Sequence, residues 1–175
     1  MKYLVILTSF LALSGCKTDA QKLHVSAIYS EAKRVTKDVP GTNSIHTFTT
    51  RKTVTERLDP MIFMLSKNKE TLKFRIQGNI SSGGHTINQV RTIRFEKGEQ
   101  KGNSIMLKYY VEIRKKSGKE SADVQGYNYI KDETYKTPDN VKIIKIELYE
   151  DRINDQPTEN PNLIAQQTFN FVARI

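Results

Sequence analysis

The sequence predicts an all-β chain, folded as an antiparallel β-sandwich of about eight strands, immunoglobulin-like or similar. Three observations carry this expectation. Apolar and polar residues alternate in segment after segment, the period of a strand with one buried face. Turn signals rich in Gly, Pro, Asn and Ser recur about every 10 to 15 residues. No long stretch with helical periodicity separates these segments, so parallel βαβ units are not expected. A closed up-and-down barrel is the alternative, and it would leave room for a ligand inside.

The elements follow in order. Leu23, Val25, Ala27 and Tyr29 alternate like a strand, although Ser30-Glu31-Ala32-Lys33-Arg34 could begin a helical turn. A first strand is expected over Leu23 to Val35. Pro40-Gly41-Thr42-Asn43 is a turn, because Pro fixes φ and Gly permits positive φ. Ile45 to Leu58, rich in Thr and Val, reads as a strand broken by Asp59-Pro60. Met61 to Leu65 is a short apolar run. Thr71 to Ile80 sets Leu72, Phe74 and Ile76 against Lys73, Arg75 and Gln77. After the Ser81-Ser82-Gly83-Gly84 turn, Ile87, Gln89, Arg91, Ile93 and Phe95 are expected to share a face. Residues 97–103 read as a polar hairpin loop.

The clearest alternation follows. Ile105, Leu107, Tyr109, Val111 and Ile113 oppose Met106, Lys108, Tyr110, Glu112 and Arg114. Residues 115–119 read as a turn, and Val124 to Ile130 as a strand in which Gly126 marks a bulge or close packing. Thr137-Pro138-Asp139-Asn140 turns into a strand over Val141 to Tyr149. A polar loop is expected over 151–162. The last strand, Leu163 to Ile175, would put Leu163, Ala165, Phe169, Phe171, Ala173 and Ile175 on its inner face.

The first sixteen residues have a different character. Lys2 supplies a short positive region, and Tyr3 to Leu13 form an apolar run interrupted by Thr8 and Ser9. The run suits a secretory leader and falls short of the about 20 apolar residues a spanning helix needs. The small pair Ser14-Gly15 precedes Cys16, the chain's one cysteine. Leu13-Ser14-Gly15-Cys16 resembles the lipobox of bacterial lipoproteins. The resemblance implies that Cys16 is the lipid-attachment site. In that family the thiol takes a diacylglyceryl group, a dedicated peptidase cuts before the cysteine, and the new amine is usually acylated, commonly with palmitate. Residues 1–15 would then be the signal peptide, 16–22 the lipidated Cys and a short tether, and 23–175 one domain. Lys17 is not the Asp that commonly signals inner-membrane retention, so in a Gram-negative cell the resemblance favours the outer membrane. Two or three acyl chains anchor stably, since each buried methylene contributes about 0.8 kcal/mol.

Composition narrows the partners. The chain carries a formal charge of +9 over 175 residues, and only Lys2 among its charged residues would leave with the leader. Basic chains attract nucleic acid, anionic lipid or acidic polymers. For an exported chain nucleic acid is not expected. A membrane through the lipid anchor, with an envelope protein partner or an anionic glycan, is. Opposite charges are also interspersed, as in Lys119 and Glu120, which suits a plain solvated surface. With Cys16 lipidated no thiol remains for a disulfide or a metal.

Catalytic signatures are sparse. His24, His46 and His85 lack metal-ligand spacing, and there is neither a Gly-x-Ser-x-Gly elbow nor a P-loop. Asp151, Asn154 and Asp155 offer oxygen ligands, but Arg152 among them opposes a cation. No metal, no cofactor and no enzymatic role is expected. The candidate binding residues are Tyr110 with its neighbours Lys108 and Arg114, together with Tyr127 and Tyr129, because tyrosine beside basic residues suits protein contact or glycan stacking. The loop over 151–162 and the face of Lys73, Arg75 and Gln77 are further candidates. The expected function is a lipid-anchored, non-enzymatic binding or assembly module at a membrane surface. The alternatives are a small-ligand carrier with an apolar cavity lined by 105–113 and 163–175, and an enzyme acting on envelope glycans.

Overall fold

A computed structural model of the chain describes residues 22–153 and 160–171. The expected lipid-attachment site Cys16 and its leader lie outside the described residues. The expected sandwich is there. Among the described residues its strands are nine: β1 (His24–Asp38), β2 (Ile45–Thr53), β3 (Met61–Lys67), β4 (Thr71–Ser81), β5 (Thr86–Lys101), β6 (Ser104–Ser117), β7 (Val124–Lys136), β8 (Ile143–Ile153) and β9 (Asn162–Asn170). One sheet has the order β2-β1-β7-β4-β3 and the other β5-β6-β8-β9.

The core follows from alternation. On β6, Ile105, Leu107, Tyr109, Val111 and Ile113 are all buried, and on β4 so are Leu72, Phe74, Ile76 and Ile80. Ile144, Ile146 and Leu148 of β8 and Phe169 of β9 complete one continuous cluster between the sheets. Burying each large aliphatic chain contributes about 2 kcal/mol. Phe74 and Tyr109 meet edge to face across the sheets, 5.7 Å apart.

Several expectations are corrected. β6 and β8 pair in parallel, not antiparallel, from Ser104 opposite Ile143 to Arg114 opposite Ile153. The chain leaves β6 for β7 in the other sheet and returns, so β8 re-enters in the direction of β6. Residues 97–101 are strand rather than loop, and only Gly102-Asn103 turns the hairpin. β6 runs through the expected turn to Ser117, and β7 runs past Ile130 to Lys136. On β5, Arg91 is an extra residue: Val90 faces Ile113 and Thr92 faces Glu112. That bulge flips the alternation, so the expected common face of Ile87 to Phe95 does not exist. On β9 the extra residue is Ile164, which packs against the core while Leu163 is exposed. Ala173 and Ile175 lie outside the described residues.

β1 has two partners in succession. His24 to Tyr29 pair with β7, and Ser30 to Asp38 pair with β2. The switch sits at a register shift between Ile28 and Tyr29, opposite Gly126. Tyr29 turns its backbone to the chain leaving β2: its carbonyl accepts from Val54 N at 2.9 Å, and its N–H donates to Thr55 Oγ1 at 3.0 Å. Residues 54–60 then cross the outer face of the sheet. Asn128 pins them, accepting from Leu58 N at 3.0 Å and donating to the Glu56 carbonyl at 2.8 Å, while Asn79 donates to the Leu58 carbonyl at 2.8 Å. Fully buried Ile28 shares this face.

Beyond the switch, β1 and β2 form a two-stranded ribbon that stands off the sandwich. All nine residues of β2 are exposed, and Glu31 to Asp38 are exposed except half-buried Val35. Nine pairs make a ribbon about 30 Å long.

The glycines at the switch and at the ribbon tip separate two effects. Gly126 has φ +150°, and a Cβ there would collide with the Ile80 carbonyl oxygen. Gly41, in the tip turn, has φ +80° but open space around it. Gly126→Ala is therefore expected to lower stability by about 3 kcal/mol, against about 1 kcal/mol for Gly41→Ala. Denaturant midpoints of the two variants check this, and equal losses contradict it.

Candidate functional site

Lys108, Tyr110 and Arg114 do share a face, the outer side of the four-stranded sheet. Register sets three rows across it: Glu96, Lys108 and Glu147; Arg94, Tyr110 and Tyr149; Thr92, Glu112 and Asp151. Tyr110 is nonetheless only 7% exposed. Its ring stacks on Tyr149 at 5.1 Å and 18°, and the Arg94 guanidinium lies 4.1 Å above it. Such a cation–π contact is worth about 1 kcal/mol. Arg94 also pairs with Glu112 at 3.2 Å, Glu96 at 3.5 Å and Asp151 at 3.7 Å.

The next row is equally self-paired. Lys145 reaches Glu147 at 2.6 Å, and the Tyr149 hydroxyl donates to the same carboxylate at 2.6 Å. Burial alone would raise the Glu147 carboxyl, but the bonds from Lys145 and Tyr149 and the charges of Lys145 and Lys108 hold it below the usual range. The Glu147 bond, with burial, pushes the Tyr149 hydroxyl up to about 12. The platform is thus a mosaic of alternating charges. Lys108 lies at its margin, in an open depression of about 480 Å³ shared with Lys97, Lys101, Lys145 and Ser104. Gly98 fits the β5 bulge there, since its Cβ would come within 3.0 Å of the Met106 carbonyl oxygen. Arg114 is exposed beyond the mosaic.

Tyr127 and Tyr129 are on the other sheet, facing inward, and do not join this surface. The Tyr127 hydroxyl donates to Glu120 at 3.0 Å, and Ser82 donates to the same carboxylate at 2.7 Å. Tyr129 is fully buried, its ring lying across Gly78, and its hydroxyl has no hydrogen-bond partner among the described residues. Further along that inner face, Lys131 pairs with Glu133 at 2.5 Å. Arg75, on the expected Lys73, Arg75 and Gln77 face, is held in a two-pronged pair with Asp132 at 2.6 and 2.9 Å. The hydrogen bond and charge of Arg75 keep the Asp132 carboxyl low. Of the expected loop over 151–162, the first three residues are strand and 154–159 lie outside the described residues. The three histidines are exposed and far apart in register, and among the described residues no group of three or more His, Cys, Asp or Glu is placed to hold a metal ion.

The surface that sequence reasoning missed is the β1–β2 ribbon. It carries Lys33, Arg34, Lys37, Arg51 and Lys52 against Glu31 and Asp38, and none of these forms a salt bridge among the described residues. One face shows Val35 opposite Phe48, flanked by Lys33, Lys37, His46 and Lys52. The other shows Ala32, Arg34, Thr49, Arg51 and Ile45. Ile45 is 65% exposed and Phe48 41%. The one available signal was Thr-rich β-propensity without alternation over 45–53.

Two outcomes follow from these contacts. Tyr129→Phe removes an unpartnered buried hydroxyl and is expected to leave stability unchanged or raise it by about 1 kcal/mol; a loss in thermal melting above that size contradicts the placement. Asp132 and Glu147 both titrate below the usual carboxylate range, so their contribution is present above about pH 4 and is lost as pH falls through the folded values. An Asp132→Asn, Glu147→Gln double variant is expected to be less stable than the parent at neutral pH, with the two curves converging as pH falls below about 4. Parallel curves in acid titration contradict the pairing. No protein-family model, curated protein or solved structure matches the chain.

Proposed function

We propose that the protein is a lipid-anchored, non-enzymatic binding or assembly module of the bacterial cell envelope, held at the outer membrane in a Gram-negative cell. The observation that carries the reading is the free-standing ribbon, whose cations form no salt bridge among the described residues and whose Ile45 and Phe48 stay exposed. An isolated two-stranded ribbon is marginal in water, so a second surface that completes it is its natural complement. The lipobox resemblance supplies the location. Residues 17–22 would reach about 20 Å when extended, and confinement to a membrane raises the effective concentration of any partner there. The carrier reading has less support, because the inward side chains of β6 from Ile105 to Ile113 are packed in the core. The Tyr110 platform also weighs less, because Arg94 already covers it.

The test is site-specific photo-crosslinking in intact cells. A crosslinker at Thr49 on the ribbon is expected to capture a defined envelope protein, recovered again by reciprocal crosslinking, while one at Lys73 on the sandwich does not. Cys16→Ser is expected to release the chain from membranes or leave it unprocessed, and to abolish the capture. Indiscriminate capture from both positions overturns the binding reading. A Cys16→Ser chain that is still cut at the same bond and still sediments with membranes in high salt overturns the anchor.

A further inference from the structure

Among the described residues the two sheets end in four edge strands, β2 and β3 on one and β5 and β9 on the other, and residues 31–38 of β1 are also open on the side away from β2. An unpaired edge exposes a row of N–H and C=O groups that can template another strand, and natural sheets disrupt such edges with bulges. Three of the four are disrupted, each by residues inserted into the edge strand itself. Leu65 is extra in β3, Arg91 is extra in β5, which is interrupted again between Lys97 and Gln100, and Ile164 is extra in β9. β2 is different. Its register to β1 is unbroken from Ile45 opposite Asp38 to Thr53 opposite Ser30, it contains no Pro, and, unlike residues 31–38 of β1 with Glu31 and Asp38, it carries no carboxylate.

From this we infer that the outer edge of β2 is a strand-addition site, and that its occupant is an extended, acidic segment of a partner protein. The inference rests on the binding-module reading and names how the ribbon binds. Alternate N–H and C=O groups of Ile45–Thr53 point away from β1 and are free to pair. The chemistry of the occupant follows from charge. Arg51 and Lys52 lie on β2 on opposite faces, Arg51 opposite Ala32 with Arg34 two places along, and Lys52 opposite Glu31 with Lys33 two places along. A flat anionic membrane would engage one face and leave the other cations unmatched. An added strand presents side chains to both faces and can match them all. A second copy of β2 is disfavoured, because β2 holds no carboxylate and would offer these cations no counter-charge.

The ribbon is also rooted firmly enough to hold a template in place. Ser30 N donates to the Asp123 carbonyl at 2.7 Å, Gln125 Nε2 reaches Ser30 Oγ at 3.2 Å, and Val54 N bonds to Tyr29.

The experiment uses the full chain in detergent micelles and two nine-residue peptides, one alternating Glu with Val and Thr, the other with Lys in place of Glu. Amide hydrogen exchange read by NMR is expected to show the Glu peptide protecting alternate amides of Ile45–Thr53, with no comparable protection along β3, β5, β9 or the amides of residues 31–38 that point away from β2. An Arg51→Glu, Lys52→Glu double variant is expected to bind the Glu peptide about tenfold more weakly and to gain binding of the Lys peptide. Unchanged amide shifts in β4 and β6 report that the variant is folded. The inference is overturned if the peptide protects all edges alike, if charge reversal leaves its binding unchanged, if protection of β2 grows with protein concentration alone, or if phosphatidylglycerol micelles protect β2 where the peptide does not. Crosslinking from Thr49 to an envelope protein together with unprotected β2 amides would remove strand addition and leave the binding-module reading standing.

Discussion

The close approach of β7 to β4 at Gly126 is the constraint on which the architecture turns. The two strands pair over eleven positions, from Thr71 opposite Lys136 to Ser81 opposite Gly126. Near the last of these, β7 takes a backbone conformation that an L side chain rarely adopts, against the carbonyl of Ile80. The same point is where β1 slips register and lets go of β7. The sandwich and the ribbon are thus joined at one backbone irregularity. β7 begins at Val124, opposite Tyr29, so β1 outruns its partner in the sandwich there and goes on paired with β2 alone, on its other edge.

Asn128 and Asn79 finish that junction. A chain segment lying over a sheet face must satisfy its own N–H and C=O groups, because the sheet beneath has already used its backbone. Two asparagines do this for residues 54–60, each through a side-chain amide bonded to main chain. The segment therefore lies as a strap on the face that carries buried Ile28, and the chain leaving the ribbon is tied to the sandwich by hydrogen bonds.

How far the sequence could be read depended on whether burial acted on it. β4 and β6 have one face in the core and one outside, and their alternation was legible at once. The ribbon half of β1 is buried on neither face, so nothing imposed a period of two, and Ser30 to Arg34 looked like a helical turn. β5 misled because the extra Arg91 inverts the parity midway. Tyrosine misled for another reason: it is amphipathic, so its pattern does not say which end is wet. Tyr110 was rightly placed on an outer face, yet Arg94 covers it. Tyr129 was expected at a surface and fills the largest buried volume, in the space left by Gly78.

The parallel pairing of β6 with β8 has a consequence for the order of folding. β5 and β6 can zip from their two-residue turn as a local hairpin, on a microsecond scale. β8 cannot join by that route. Between β6 and β8 the chain must first lay down β7, which pairs with β4 and β1 in the opposite sheet. Closing that loop costs entropy before any β6–β8 bond forms, and such non-local pairing slows folding. The second half of the four-stranded sheet thus waits on the five-stranded one, so neither sheet is a kinetic unit by itself.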